Sequence, residues 1–262
     1  MQTINLEIAG VGLTINSENP ELIAQIADRY EGFVTPEVDG FTMTVDTERG
    51  ITTVGEDQPR VTTTDAGFHY ERRDFHMDVS KEARTIDGSC APNMYSFDSC
   101  LRVFFTTHLL DLEGAMIHGA SVVSNGNAYL FFGVSGAGKT TTARLSAPRQ
   151  ILSDELTILR KDGDNYRAYG TPFWGELQKN GDNVSALLAG LNNLVKDSTV
   201  YLEPITPKTA LKALMPCVLF FAHERHLVNA AVDRIADIVG RVPANKMHFL
   251  PDNTFWRLFE HA

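Results

Sequence analysis

The chemistry legible in this chain concentrates in eight consecutive residues, Gly133-Val134-Ser135-Gly136-Ala137-Gly138-Lys139-Thr140. Their spacing, Gly-x4-Gly-Lys-Thr, is that of a phosphate-binding P-loop. Each residue type has a physical reason to stand where it does. Gly133, Gly136 and Gly138 let the main chain double back through φ values that a Cβ penalises, so successive N–H groups can converge on one anion. A helix starting near Lys139 adds unpaired N-terminal donors and the positive end of its dipole. A di- or triphosphate suits that environment. Lys139 is placed to reach the β- and γ-phosphates, Thr140 offers a hydroxyl to Mg²⁺, and Thr141 extends the cradle.

Moving a phosphoryl group also needs acids. Residues 150–159 read as an apolar strand carrying adjacent carboxylates, Asp154 and Glu155. Side chains alternate faces along a strand, but at a strand end both can reach one metal or nucleophile. A kinase needs a carboxylate to orient Mg²⁺ and a base to take the hydroxyl proton. The pair offers both, and the residues alone leave open which of the two is the base. Asp154 follows Lys139 by only fifteen positions, where many P-loop ATPases place their acidic strand much further on.

Several elements must position these groups. The run 128–132 is a strand that delivers the glycine loop, and Asn125-Gly126 is a strong hairpin signal pairing it with 115–123. That hairpin brings His118 to the same neighbourhood. After the loop a helix has room only to about Ala147, since Pro148 stops it. Upstream, the spacing of Met94, Phe97, Leu101, Phe104 and Leu109 predicts a helix over about 92–112. Residues 207–214 and 226–242 also read as helices, whereas 187–195 is apolar and ambiguous. The first eighty-odd residues predict a bent strand pair around Gly10 and Gly12, a helix from Asn19-Pro20 to about Tyr30, and an antiparallel sheet over 40–87. They contain no chemical motif, and Arg72-Arg73 reads as a charged strand end.

His118-Gly119, the glycine loop and Asp154-Glu155, over roughly residues 115–180, resemble the HPr kinase/phosphorylase family. More remotely they resemble the ATP-dependent phosphoenolpyruvate carboxykinases that share its nucleoside-triphosphate fold. Gly170-Thr171-Pro172-Phe173 is similar to a stretch of HPr-kinase-like relatives, which makes Glu176 a candidate acid on the metal or just behind it; by its residues alone the stretch reads equally well as a buried aromatic loop. The resemblance implies that His118 sits against the γ-phosphate and tunes the acidic pair, that Lys139 and Thr140 hold phosphate and Mg²⁺ with Asp154, and that the second acid exchanges a proton with substrate. It also implies a homo-oligomer. The chain departs from the family in having Asp-Glu for its usual Asp-Asp, and in lacking its downstream phosphorylase signature and its regulatory domain.

Composition narrows the partners. With 23 basic against 33 acidic residues the net charge is −10, which argues against coating nucleic acid or an anionic membrane. The amino-terminal residues lack the basic start and apolar core of a signal peptide, and the apolar run 213–222 is too short to span a bilayer. Cys90, Cys100 and Cys217 are odd in number with no metal-like spacing, as in a reduced cytoplasmic protein. The expected fold is α/β: a mixed-sheet, HPr kinase/phosphoenolpyruvate carboxykinase-like P-loop core over 89–262, preceded by a small α+β module over 1–88. The expected activity is ATP- and Mg²⁺-dependent phosphorylation of a hydroxyl on a protein or small molecule. The alternatives are a non-catalytic nucleotide-binding regulator and, more weakly, a carboxykinase-like enzyme.

Overall fold

In the computed structural model, which describes residues 1–47 and 58–259, the alternation of apolar side chains near the amino terminus becomes strand pairing. Strands β1 (Gln2–Ile8) and β2 (Val11–Ser17) form a hairpin that sets Leu6 against Leu13. Helix α1 (Pro20–Arg29) follows, its N-terminal amides of Glu21 and Leu22 capped by Asn19, and it buries Leu22, Ile23 and Ile26. Strand β3 (Gly40–Thr47) returns parallel to β2. Strands β4 (Arg60–Thr63), β5 (Gly67–Arg72), β6 (Phe75–Ser80) and β7 (Thr85–Cys90) run as an antiparallel meander, and β7 lies parallel to β3.

The sheet expected to be antiparallel is therefore mixed, in the order β1-β2-β3-β7-β6-β5-β4. Alternation reports which face of a strand is buried and is silent on the direction of its neighbour, so a helical crossover changed the pairing without changing the pattern. Residues 48–57 of the expected sheet lie outside the described residues. Arg72 is a strand-end charge as expected, held by Asp74 at 2.6 and 2.9 Å. Helix α2 (Met94–Asp111) follows β7.

The chain divides into two compact units, one of residues 1–108 with 220–228 and the other of 109–219 with 229–262. Residue 88, expected as a boundary, lies inside β7. The return of 220–228 to the first unit is made by a bridge from Val61 to Ala222 and by Glu224, whose carboxylate accepts from the Thr63 amide and hydroxyl at 2.7 and 2.8 Å.

The second unit is built on an eight-stranded mixed sheet. Strands β8 (Gly114–Ser124) and β9 (Asn127–Phe132) form the expected hairpin, with Asn125 and Gly126 both at positive φ. Helix α3 spans Lys139–Arg144, then come β10 (Gln150–Ser153), β11 (Leu156–Asp162), β12 (Asn165–Tyr169) and β13 (Ser185–Lys196). Strand β14 (Tyr201–Pro204), helices α4 (Pro207–Leu214) and α5 (Arg225–Arg241) and strand β15 (Ala244–Phe249) complete it, with a 3₁₀ turn over Asn253–Phe259.

Strand β13, the segment ambiguous in sequence, is central: it pairs in parallel with both β9 and β15. Its middle, Gly190 to Asn192, is buried without a break, which interrupts the alternation of buried Ala186 and Leu188 with exposed Leu187. On β9, Ala128, Leu130 and Phe132 join a cluster with Ile235, Ile238 and Val239 of α5, while Tyr129 and Phe131 join Phe255, Trp256 and Phe259. Among the described residues no helix is long and apolar enough to cross a membrane. All three cysteines are free and buried.

A polar network fastens α5 to the sheet of this unit. Tyr166 donates to Asp237 at 2.7 Å, Arg241 donates to Asp237 at 2.7 Å, and Arg234 reaches Tyr166 at 3.1 Å and Glu113 at 3.2 Å. Burial would raise the Asp237 carboxyl, but the hydrogen bonds from Tyr166 and Arg241 outweigh it and bring the pKa down to about 2. A carboxylate depressed below its unfolded value of about 3.9 contributes stability above that pH and loses it as pH falls toward 2. With the side chain 28% exposed, about 1–2 kcal/mol is expected. Unfolding titrations at pH 6 and pH 3 should show Asp237→Ala destabilised at pH 6, with the gap from the parent protein narrowing at pH 3.

Candidate functional site

The parallel pairing of β9 with β13 fixes where the glycine loop begins, because both strands point their C-terminal ends to one edge and Phe132 pairs with Asn193 there. The loop leaves β9 at Gly133. Gly136 and Gly138 adopt φ of 76° and 111°, and a Cβ on Gly138 would lie 2.8 Å from Cζ of Phe249. Glycine is required at 138 by backbone angle and by space together. The Ala137 amide donates to the Val134 carbonyl at 3.0 Å and the Thr142 amide to Gly138 at 2.8 Å, closing the loop and starting α3. That helix ends at Arg144, three residues short of the expected Ala147. Its six residues make a short dipole, so the loop amides and Lys139 must supply most of any attraction for an anion.

Lys139 is buried, at 8% exposure, and its ammonium donates to the carbonyls of Gly133 at 3.2 Å and Val134 at 3.4 Å. Among the described residues no carboxylate forms an ion pair with it. A buried ammonium with only neutral partners is under-compensated, and an anion entering the loop relieves that cost. The Cys217 thiol also donates to Gly133, at 3.7 Å, and burial pushes its pKa up, so it is a neutral donor and no nucleophile.

A cavity of about 280 Å³ opens at this loop. It is lined by the loop and helix-start residues from Ser135 to Thr141 other than Ala137, together with His118, Glu155, Glu176 and Lys196. His118 stands on β8, where its Nε2 lies 3.4 Å from Oε2 of Glu155. The pairing of His118 with Leu156 and the bond from the Gly119 amide to the Glu155 carbonyl, 3.0 Å, hold the two residues abreast. Of the other loop residues, Gly133 and Val134 contribute carbonyls to Lys139, while Ala137 packs against the apolar cluster beneath.

Asp154 departs from expectation. The expected single strand is interrupted, with β10 and β11 both pairing to β8 and the two acids at the break between them. Adjacent side chains there diverge: Glu155 enters the cavity, but Asp154 is buried at 4% exposure and does not line it. Its Oδ1 accepts from the Gly175 amide at 3.3 Å and its Oδ2 from the Leu177 amide at 3.0 Å. Expected as a metal ligand and as one of two candidate bases, Asp154 is instead committed to the main chain of a neighbouring loop. Of the pair, only Glu155 lines the cavity.

Lys196 was not anticipated. It ends β13 at the same edge as the loop, a position legible only once β13 is known to be a strand parallel to β9. Two other cations of this unit are held elsewhere, Arg241 by Asp237 at 2.7 Å and Lys246 by Glu203 at 3.2 Å. Among the described residues no group of three or more His, Cys, Asp or Glu is arranged to hold a metal. Mg²⁺ is commonly bound through one or two carboxylates together with substrate phosphates. Thr140, Glu155 and Glu176 provide a hard oxygen donor set of that kind, and Asp154 is not part of it.

Comparison with known proteins adds little beyond this geometry. The family model described as ScmC, SynChlorMet cassette protein ScmC, matches residues 92–189, which run from just before α2 into the first half of β13. No curated protein matches the chain. Among solved structures, the Hpr(Ser) kinase/phosphatase from Coxiella burnetii aligns with 13% identity and a TM-score of 0.26, over 45% of this chain and 93% of that one.

The packing of Phe249 under the loop makes a direct test. Gly138→Ala should lower the stability of the second unit by about 1–3 kcal/mol, read as a fall in thermal midpoint. Gly240→Ala, on α5 with open space around it, should be neutral or gain up to about 1 kcal/mol.

Proposed function

We propose that this chain binds a nucleoside triphosphate with Mg²⁺ in the glycine-loop cavity and transfers the terminal phosphoryl group to a hydroxyl. The observation that carries the reading is the buried Lys139 ammonium, held by main-chain carbonyls alone and sharing one cavity with the Glu155 and Glu176 carboxylates. Loop amides and Lys139 bind the phosphates, and Lys196, at the end of β13, adds a second positive charge to the same cavity. Thr140 and Glu176 hold the cation, which offsets charge on the phosphates when bound. Glu155 accepts the proton of the acceptor hydroxyl as its oxygen bonds to phosphorus and the bond to the nucleoside diphosphate breaks. His118, beside Glu155, donates a hydrogen bond to the transferring group and stabilises the negative charge on it.

A regulatory reading without transfer draws on one observation: Asp154 is withdrawn, leaving one acid of the adjacent pair in the cavity. Incubation of the full chain with ATP and Mg²⁺ separates the two. Transfer to a hydroxyl acceptor, or slow hydrolysis to ADP, supports the kinase; tight binding with neither, across a broad acceptor panel, supports the regulator.

Lys139→Ala removes the charged donor while leaving the loop glycines in place. It should weaken ATP binding by roughly 10- to 150-fold, the effect of about 1.5–3 kcal/mol for a hydrogen bond to a charged group, and abolish turnover. Titration calorimetry and a thermal melt check this together. Undiminished affinity in a folded variant would remove the phosphate site.

A further inference from the structure

The two hydrogen bonds that take Asp154 out of the cavity have a definite geometry. They end on the amides of Gly175 and Leu177, the residues on either side of Glu176. One carboxylate thus grips the main chain before and after the acid that faces the loop. The grip is close: a Cβ on Gly175 would lie 2.7 Å from Oδ2 of Asp154, so only glycine admits the carboxylate at this distance. The segment is further closed by the Gln178 amide donating to the Gly175 carbonyl at 3.2 Å, and by Trp174 Nε1 donating to Asn180 at 2.7 Å.

The structure assigns Asp154 as a positioning residue: its carboxylate clamps the amides of Gly175 and Leu177 and thereby directs Glu176 toward a phosphate-bound divalent cation. The inference rests on the reading of the cavity as a nucleotide–cation site and deepens it. A buried carboxylate sharing its two oxygens between two amides is satisfied where it stands, and turning into the cavity would leave both donors unpaired. Its neighbour Glu155 lines the cavity beside His118. Adjacent acids in one break of a strand therefore do different work: Glu155 faces the reacting group, and Asp154 builds the wall that carries the second carboxylate. Outer-shell partners of this kind orient ligands and typically change metal affinity 10- to 100-fold when removed.

The test uses the full chain, Mn²⁺ as the probe cation with ATP present, and electron paramagnetic resonance to count bound Mn²⁺. Asp154→Ala and Glu176→Gln should each weaken Mn²⁺ binding by roughly 10- to 100-fold, and the double variant should be no weaker than Glu176→Gln alone, since Asp154 acts through Glu176. Asp154→Asn, which keeps one acceptor oxygen, should fall between. Gly175→Ala, which displaces the carboxylate without removing it, should resemble Asp154→Ala and serves if the latter does not fold. Additive losses, or an Asp154→Ala protein that binds Mn²⁺ like the parent, overturn the assignment. Amide hydrogen exchange without nucleotide gives an independent reading: Gly175 and Leu177 should exchange faster in Asp154→Ala while α3 is unchanged. If the parent protein takes up neither ATP nor Mn²⁺, the nucleotide reading fails; faster exchange confined to 175–177 then still supports the clamp, and unchanged exchange overturns it.

Discussion

The second unit carries its chemistry on a positive charge that, among the described residues, the fold buries without an ion-pair partner. Lys139 follows a glycine turn that ends against Phe249, and its ammonium is steadied by two carbonyls of the turn itself. Strand β9 is hydrogen-bonded on both sides, by β8 and β13, and packed on both faces by α5 and by the aromatic C-terminal turn. Close packing of that kind resists the small movement that would otherwise let the lysine swing out to water.

Around that charge the acidic groups are divided by what satisfies them. The Asp154 oxygens already accept two main-chain hydrogen bonds, so the residue is structural in its immediate contacts. Glu155 has a half-exposed histidine beside it and lines the cavity, and Glu176 lines it from another loop. The cavity therefore collects two carboxylates, two lysines and one histidine, arriving from five separate segments of chain.

Much of this was legible beforehand, for reasons that are local. Positive φ and the absence of Cβ at 136 and 138 follow from the glycine spacing, and the Asn125-Gly126 turn, both residues in the left-handed region, fixes the β8–β9 register and hence the approach of His118. Helices α1, α2, α4 and α5 announced themselves by apolar stripes and caps. Where the reading strayed, a long-range choice was involved. The first sheet became mixed because alternation carries no strand direction, and β13 was ambiguous because the buried run from Gly190 to Asn192 interrupts its alternation.

By itself the sequence determined that a main-chain loop could gather around an anion, with a lysine, a hydroxyl and nearby acids to accompany it, because these properties depend on residue type and spacing over a few positions. Only the tertiary structure decided which acid faces that loop. A break between β10 and β11 sends Asp154 and Glu155 in different directions, and amides 21 and 23 residues further along the chain capture the first of them. It also decided that Lys196 joins the site, since that follows from parallel pairing of strands far apart in sequence. Such outcomes are set by which distant hydrogen-bond partners are left unsatisfied, a property of the assembled fold that no short window of residues contains.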